Sequence, residues 1–326
     1  MHGILIFTLW FLAAEAIVTA VGFLLRKRTV KPAQRGLLIA GKALLAILSG
    51  GHILMEDIPG VGKTTMALAF SRALGLRYNR VQFTPDVLPS DVTGFSMLDK
   101  ASGELRYQPG AILCNLFLAD ELNRATSRTQ SALLQAMEEG AVTVDGKTYP
   151  VPQPFLVIAT QNPAGAKGTQ MLPDSQMDRF MLRLSLGYPA PADEAEIIRR
   201  RQKGQPLESV QQIVDREALM RARDEAAQVF VKDEMIDYIV ALCNATRHDT
   251  RVLQGASPRA SLALTALGKS VAWIQGRDYL LPRDLRYIFN DCIAHRLIWV
   301  QETVSPQART AALREMFDSV RPPQIQ

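Results

Sequence analysis

The chain has 326 residues, about twice the ~150 that serves as a soft prior for one domain, so two domains are the natural expectation. With 48% hydrophobic and 21% charged residues it is ordinary globular material, which excludes collagen-like, mucin-like and largely disordered classes. Its 3 cysteines, at 114, 243 and 292, have no CxxC or Cys/His ligand spacing; they support neither a disulfide framework nor a structural zinc site, and fit a reducing compartment.

The net charge of +5 is concentrated. Residues 1–25 carry only Glu15. Arg26, Lys27, Arg28, Lys31 and Arg35 then crowd one short stretch, and everything from Gly36 onward sums to +1. A nucleic-acid-binding body would want a basic stripe on its folded surface, so this distribution speaks against one.

In chain order, residues 3–25 form an apolar run long enough to cross a ~30 Å hydrocarbon core as a helix. The basic cluster lies after it rather than before, which fits a cleaved signal peptide poorly. By the positive-inside tendency the run predicts an anchor with the remaining chain on the cytoplasmic face of the inner or plasma membrane. The alternative is a helix packed on the protein's own core. Arg35 to Ser49 reads as a helix, and His52 to Asp57 as a short buried strand. A glycine-rich turn and the apolar helix TTMALAFSRALG come next. Further strands are expected at Arg80 to Phe83, Asn115 to Asp120, Phe155 to Thr160 and Met181 to Leu186. Strands alternating with helical patterns predict an α/β fold with a doubly wound parallel sheet. After Gly187 the patterns become almost wholly helical, with breaks near Gly204–Pro206, Gly255–Pro258 and Leu281–Pro282. The expected division is 1–28 apolar helix, 29–188 αβα domain and 189–326 all-helical domain.

Five short motifs carry chemistry. Pro59-Gly60-Val61-Gly62-Lys63-Thr64-Thr65 lies between a strand and a helix. Small residues let backbone N–H groups wrap phosphates, a lysine reaches the outer phosphates, a hydroxyl binds Mg²⁺, and the helix dipole favours the anion. The usual pattern GxxxxGK[ST] would place glycine where this chain has Asp57. The second motif is Leu116 to Glu121, an apolar strand ending in two acids at the sheet's carboxyl edge, where α/β folds place ligands. Asp120 suits Mg²⁺ and Glu121 suits activation of a water. Third, Asn162 in ATQNP ends another strand and could bond a γ-phosphate or the attacking water; a plain Asn-Pro turn is the other reading. Fourth, Arg179 in Asp178-Arg179-Phe180 is either a finger toward a neighbour's phosphate or half of a surface ion pair. Fifth, Arg259 in GASPRA either reports nucleotide state or sits in a capped helix start.

These residues, with GGHILMEDIPGVGKTT, LFLADELNRATSRTQSALLQAMEEGAVTV, the DRF after LPDSQM, and LPRDLRYIFNDCIAHRL, make the chain resemble the MoxR family of AAA+ ATPases from about Arg35 to Val320. The resemblance implies that Lys63 and Thr64 lie in Walker A, that Asp120 and Glu121 form Walker B, and that Asn162 is sensor 1, Arg179 the arginine finger and Arg259 sensor 2. It implies ATP and Mg²⁺, a helical lid, a hexameric ring, and a partner bearing a von Willebrand factor A domain. ATP would sit between the α/β and helical domains. Gly94 to Gly110 and Val142 to Val151 are expected hairpins, the second turning at Asp145-Gly146, and would point into the ring's channel or lie on an ordinary surface. His295 reads as a packed histidine, and Trp273 and Trp299 as core. Two rival functions remain at this level: a nucleic-acid motor of the same clade, and a nucleotide-switched scaffold.

Overall fold

The computed structural model describes residues 33–162, 172–202, 204, 206–301 and 304–324. The apolar run 3–25 and the expected segment 1–28 lie outside them. Among the described residues no helix is long and apolar enough to cross a membrane.

Five parallel strands form the central sheet in the order β2-β5-β8-β1-β9: β1 (Ile53–Glu56), β2 (Tyr78–Gln82), β5 (Leu116–Asp120), β8 (Leu156–Gln161) and β9 (Leu182–Leu184). The order follows from burial. LFLAD and LVIATQ are buried at every position and take the inner places, while YNRVQ is partly exposed throughout and takes an edge. Helices α1 (Ala33–Leu48) and α2 (Lys63–Ala73) cover one face; the other face, with Phe117, Phe83 and Phe180, packs on Leu133 and Leu134 of α4 (Ser127–Glu139).

Between β2 and β5 a short helix, α3 (Pro89–Thr93), leads into the hairpin β3 (Gly94–Leu98) with β4 (Leu105–Pro109). Gly94 and Gly110 close its base so tightly that a Cβ on Gly110 would lie 2.2 Å from the Val92 carbonyl oxygen. The second hairpin, β6 (Ala141–Val144) with β7 (Lys147–Pro150), turns through positive φ at Asp145 and Gly146. The rings of Tyr107 and Tyr149 stack at 3.9 Å and join the two hairpins.

After β9 come a short helix-rich passage, α6 (Pro191–Gln202), and then α7 (Arg216–Ala227), α8 (Asp233–His248), α9 (Pro258–Ile274), α10 (Pro282–Ile293) and α11 (Pro306–Ser319); α5 (Asp174–Met177) precedes β9. The expectation of a wholly helical C-terminal half needs a correction: β10 (Val252–Gln254) pairs with β11 (Ile298–Trp299). Strands of three and two residues, far apart in sequence, leave no alternation to read. Trp299 is buried as expected, whereas Trp273 is only half-buried and donates to Glu225.

The two halves share one apolar core. Ala43, Leu44 and Ile47 of α1 belong to the same cluster as Leu219 of α7 and Leu264 and Leu267 of α9. The Arg223 Nε donates to the Ile47 carbonyl at 2.8 Å, and Ser49 bonds Ser270 at 2.8 Å. The helical half therefore grips the sheet from the side of α1, near the amino end of β1.

His52 sits at that end. Its Nδ1 accepts from the Val157 N–H at 3.0 Å, so Nε2 carries the proton and donates to the Met137 carbonyl at 3.1 Å. Burial pushes its pKa down to about 4. The unfolded chain therefore takes up this proton first, near pH 6.5, and the stabilisation present above that pH is lost as pH falls toward 4; the full difference is about 3 kcal/mol. Urea unfolding between pH 7.5 and 4.5 should show a steeper loss of stability for the parent protein than for His52→Gln. Equal slopes would contradict this account of His52.

Candidate functional site

Every parallel strand of the sheet ends at the same edge, and that edge collects the first three motifs. The loop after β1 enters α2 through Gly60 at φ 86° and Gly62 at φ 98°, left-handed values that a side chain would strain. A Cβ on either glycine would meet nothing within 4 Å, so it is the backbone turn and not crowding that requires them. Pro59 and Gly60 are exposed, Val61, Gly62 and Thr64 half-buried and Thr65 exposed, giving an open loop above a helix N-terminus. Lys63 is buried, and its Nζ donates back to the carbonyls of Asp57 at 2.7 Å and Ile58 at 3.3 Å. Burial lowers its pKa, while Asp57, Asp120 and Glu121 act in the opposite sense. An ammonium held on loop carbonyls beside three carboxylates is poised to exchange those carbonyls for phosphate oxygens.

The two acids are held by a neighbour in space, Thr160 on β8. Its hydroxyl donates to Asp120 Oδ1 at 2.6 Å and accepts the Glu121 N–H at 2.8 Å. Arg80 on β2 pairs with the other Asp120 oxygen at 2.6 Å. Glu121 itself lies at φ 56°, a left-handed conformation uncommon outside glycine. That turn aims its carboxylate at Arg124, 2.8 Å away, and at the Asn162 side-chain amide, 3.2 Å away. The Arg124 hydrogen bond, opposed by partial burial and helped by Asn162, holds its carboxyl below the usual range. Glu121 is thus ionised and able to accept a proton. Asn162 is itself fixed by Asn123, whose side chain accepts from the Asn162 N–H and donates to its carbonyl.

Among the described residues no three His, Cys, Asp or Glu side chains gather into a metal cluster. Mg²⁺ bound through one or two protein oxygens plus phosphates and water needs no such cage, and Asp120 with Thr64 offers that hard-oxygen set. Thr160, Arg80, Asn123 and Arg124 are the residues that motif reading passed over.

Asp57, the departure from the glycine pattern, has a structural explanation. Its buried carboxylate accepts from Ser185 Oγ at 2.9 Å, the Leu186 N–H at 2.5 Å and the Gly187 N–H at 2.9 Å. It ties the start of the loop to the exit of β9, where the chain leaves for the helical half.

Arg179 and Arg259 lie elsewhere. Arg179 comes three residues before β9, and the Met181 N–H donates to the His52 carbonyl at 2.8 Å, so this turn borders the amino edge of the sheet. Strand β1 alone, four residues at about 3.3 Å each, separates that edge from the Lys63 loop by about 13 Å. Arg259, at the start of α9, does not approach Lys63. It pairs with Glu138, at the end of α4, and Arg179 donates to the other oxygen of the same carboxylate at 3.0 Å. Gly50, Gly51 and His52 line the same groove, whose volume is about 430 Å³. From the sequence, ATP is expected between the α/β and helical parts; in the structure α9 enters from the side of α1, which puts Arg259 at the edge opposite the Lys63 loop.

The joint beneath Arg179 is polar, with Arg296 and His295 buried and Asp178 and Ser257 half-buried. The Asp178 carboxylate accepts from Arg296 Nε at 2.8 Å and from Ser257 Oγ at 2.8 Å. Arg296 also donates to the Phe180 carbonyl at 2.7 Å, and His295 Nε2 bonds the same carbonyl at 2.9 Å. His295 is therefore packed, as its sequence context implied, with burial driving its pKa well below the usual value.

A family described as "ATPase family associated with various cellular activities (AAA)" matches residues 52–182, and the "AAA lid domain" matches residues 244–316. "Uncharacterized protein YeaC" of Bacillus subtilis is 41% identical over 286 residues, covering 87% of this chain and 89% of its own length. "Chaperone MoxR1" of Mycobacterium tuberculosis is 38% identical over 294 residues, covering 87% of this chain and 78% of its own length. A crystal structure of a protein from Cytophaga hutchinsonii superposes with a TM-score of 0.86 at 32% identity, covering 99% of this chain and 98% of that one. The chain belongs to the MoxR family of AAA+ ATPases.

The position of Thr160 makes a prediction. Thr160→Val keeps the shape and removes one donor and one acceptor between buried groups, which should lower stability by about 1–3 kcal/mol. ATP turnover should fall by about tenfold or more, since Asp120 and the Glu121 turn lose their shared support. Thr160→Ser should restore both. A Thr160→Val protein with parental turnover would contradict the positioning role.

Proposed function

We propose that the chain is a Mg²⁺-dependent, ring-forming ATPase of chaperone type in which each complete site is built from two copies. Lys63, Thr64, Asp120, Glu121 and Asn162 of one copy would meet Arg179 and Arg259 of the next. The observation that carries this reading is the placement of the Lys63 loop and the two arginines at opposite edges of one sheet. As placed in one copy, the two arginines stand a strand's length from that copy's own Lys63 loop, whereas a neighbour in a closed ring would present its amino edge to the next copy's carboxyl edge.

The division of labour follows from the geometry. Residues 59–65 would wrap the phosphates with backbone N–H groups, and Lys63 Nζ would leave the Asp57 and Ile58 carbonyls for phosphate oxygens. Bound Mg²⁺, held through Asp120 and Thr64, would supply charge neutralisation at the β- and γ-phosphates. Asn162 and the Glu121 carboxylate would orient a water whose proton passes to Glu121 as its oxygen bonds the γ-phosphorus and the β–γ bridge bond breaks. The arginines of the neighbour would stabilise the charge spreading over the transferred group.

Family membership supports remodelling of a protein client. The finer proposal, a partner bearing a von Willebrand factor A domain, rests on the resemblance described above. Phe95, Met97, Leu98 and Leu105 stand exposed on the first hairpin and suit contact with an apolar client segment. A nucleic-acid motor is disfavoured by a body whose charge from Gly36 onward sums to +1.

Binding and hydrolysis should separate on mutation. Lys63→Ala should lose nucleotide affinity, and Glu121→Gln should retain it while losing turnover by about 10²–10⁴, as expected for a general base. Equilibrium binding of a fluorescent ATP analogue and steady-state phosphate release check the two. Parental turnover in Glu121→Gln would overturn the assignment of the base.

A further inference from the structure

The carboxylate of Glu138 holds two cations that arrive from different parts of the molecule. Arg179 comes from the turn before β9 and Arg259 from the first turn of α9, and each takes one oxygen of Glu138. All three side chains are part-exposed, at 29%, 47% and 43%. Exposed pairs contribute about 0–1 kcal/mol, so fold stability does not account for this arrangement. Two guanidiniums without a carboxylate between them would repel and separate. With it they form one unit of net charge +1, and each keeps N–H groups free of Glu138: Arg179 donates to it only through Nε, and Arg259 only through Nη2.

Glu138 is also well placed to carry information. It lies in the last turn of α4, whose other end is fixed to the turn behind Glu121: the Gln130 side-chain amide donates to the Leu122 and Ala125 carbonyls. Thirteen residues at about 1.5 Å each make α4 a rod of about 20 Å from one edge of the sheet to the other.

We infer that Glu138 is a positioning residue that clamps Arg179 and Arg259 into one phosphate-facing unit, so that the sheet and the helical half present both guanidiniums together to the nucleotide of a second copy of this chain. The inference rests on the composite-site reading above. The partners of Glu138 are the two arginines, and it acts through them. Because α4 also buttresses the Glu121 turn, the clamp links a copy's own site to the site it completes.

The test uses the full-length protein. Glu138→Gln keeps the shape and removes the charge. It should lower kcat by about tenfold or more, with KM, binding of a fluorescent ATP analogue and the thermal midpoint all unchanged. In the Arg179→Ala background the same change should add little, since the carboxylate works through that arginine. Parental kcat in Glu138→Gln, a fully additive double variant, or a loss of rate matched by a fall in thermal midpoint would each overturn the inference. Mixing Arg179→Ala with Lys63→Ala subunits separates this from the parent reading. Restored hydrolysis on mixing upholds the composite site whatever Glu138 does, and no restoration overturns the composite site and the clamp together.

Discussion

A sheet of parallel strands has two unlike edges, and the rest of this molecule follows from that constraint. Every strand of the central sheet delivers its carboxyl end to one side, so Lys63 after β1, Asp120 and Glu121 at the end of β5, and Asn162 after β8 converge without any long-range design. The same polarity sends whatever precedes a strand to the other side. Arg179 precedes β9 and His52 precedes β1, and the helical half docks beside them through α1. The groups proposed to hold the phosphates and those proposed to stabilise transferred charge are therefore segregated by strand direction.

Two carboxylates, Asp57 buried and Asp178 half-buried, hold the segregated parts in register. Asp57 fastens the Lys63 loop to the exit of β9 with three hydrogen bonds, and Asp178 fastens the Arg179 turn to Ser257 and Arg296 of the helical half. Each carboxylate has a donor on both of its oxygens, which is the condition under which a charge drawn away from solvent is tolerated. Asp120, with Thr160 and Arg80 on its two oxygens, follows the same rule at the candidate site itself. These nodes explain why a short connection such as residues 185–187 matters: its backbone N–H groups are what the loop start grips.

Much of this was legible in the sequence, for local reasons. HILMED, NLFLAD and FLVIAT are continuous apolar runs bounded by turn residues, and such runs become buried parallel strands. Asp145-Gly146 marks its own hairpin by backbone preference. The acids at the end of β5 announce themselves by ending an apolar strand. What stayed hidden is relational. Thr160 is an ordinary strand residue until the β5–β8 pairing sets its hydroxyl against Asp120, 40 positions earlier. Asp57 reads as a defect in a glycine pattern until its partners, about 130 positions on, come into contact. Glu138 and Arg259 are 121 positions apart, and their pairing is hidden because the docking side of the helical half has no sequence signature. The β10–β11 pair was hidden because two short strands separated by two helices carry no periodicity.

The central claim is that one copy cannot complete its own site, and specific ATPase activity against protein concentration addresses it most directly. The account predicts that activity per chain rises with concentration as copies associate and levels off once assembly is complete, with the rise and the growth in particle mass by light scattering following one curve. Activity per chain that stays constant while the mass changes from monomer to oligomer would contradict it.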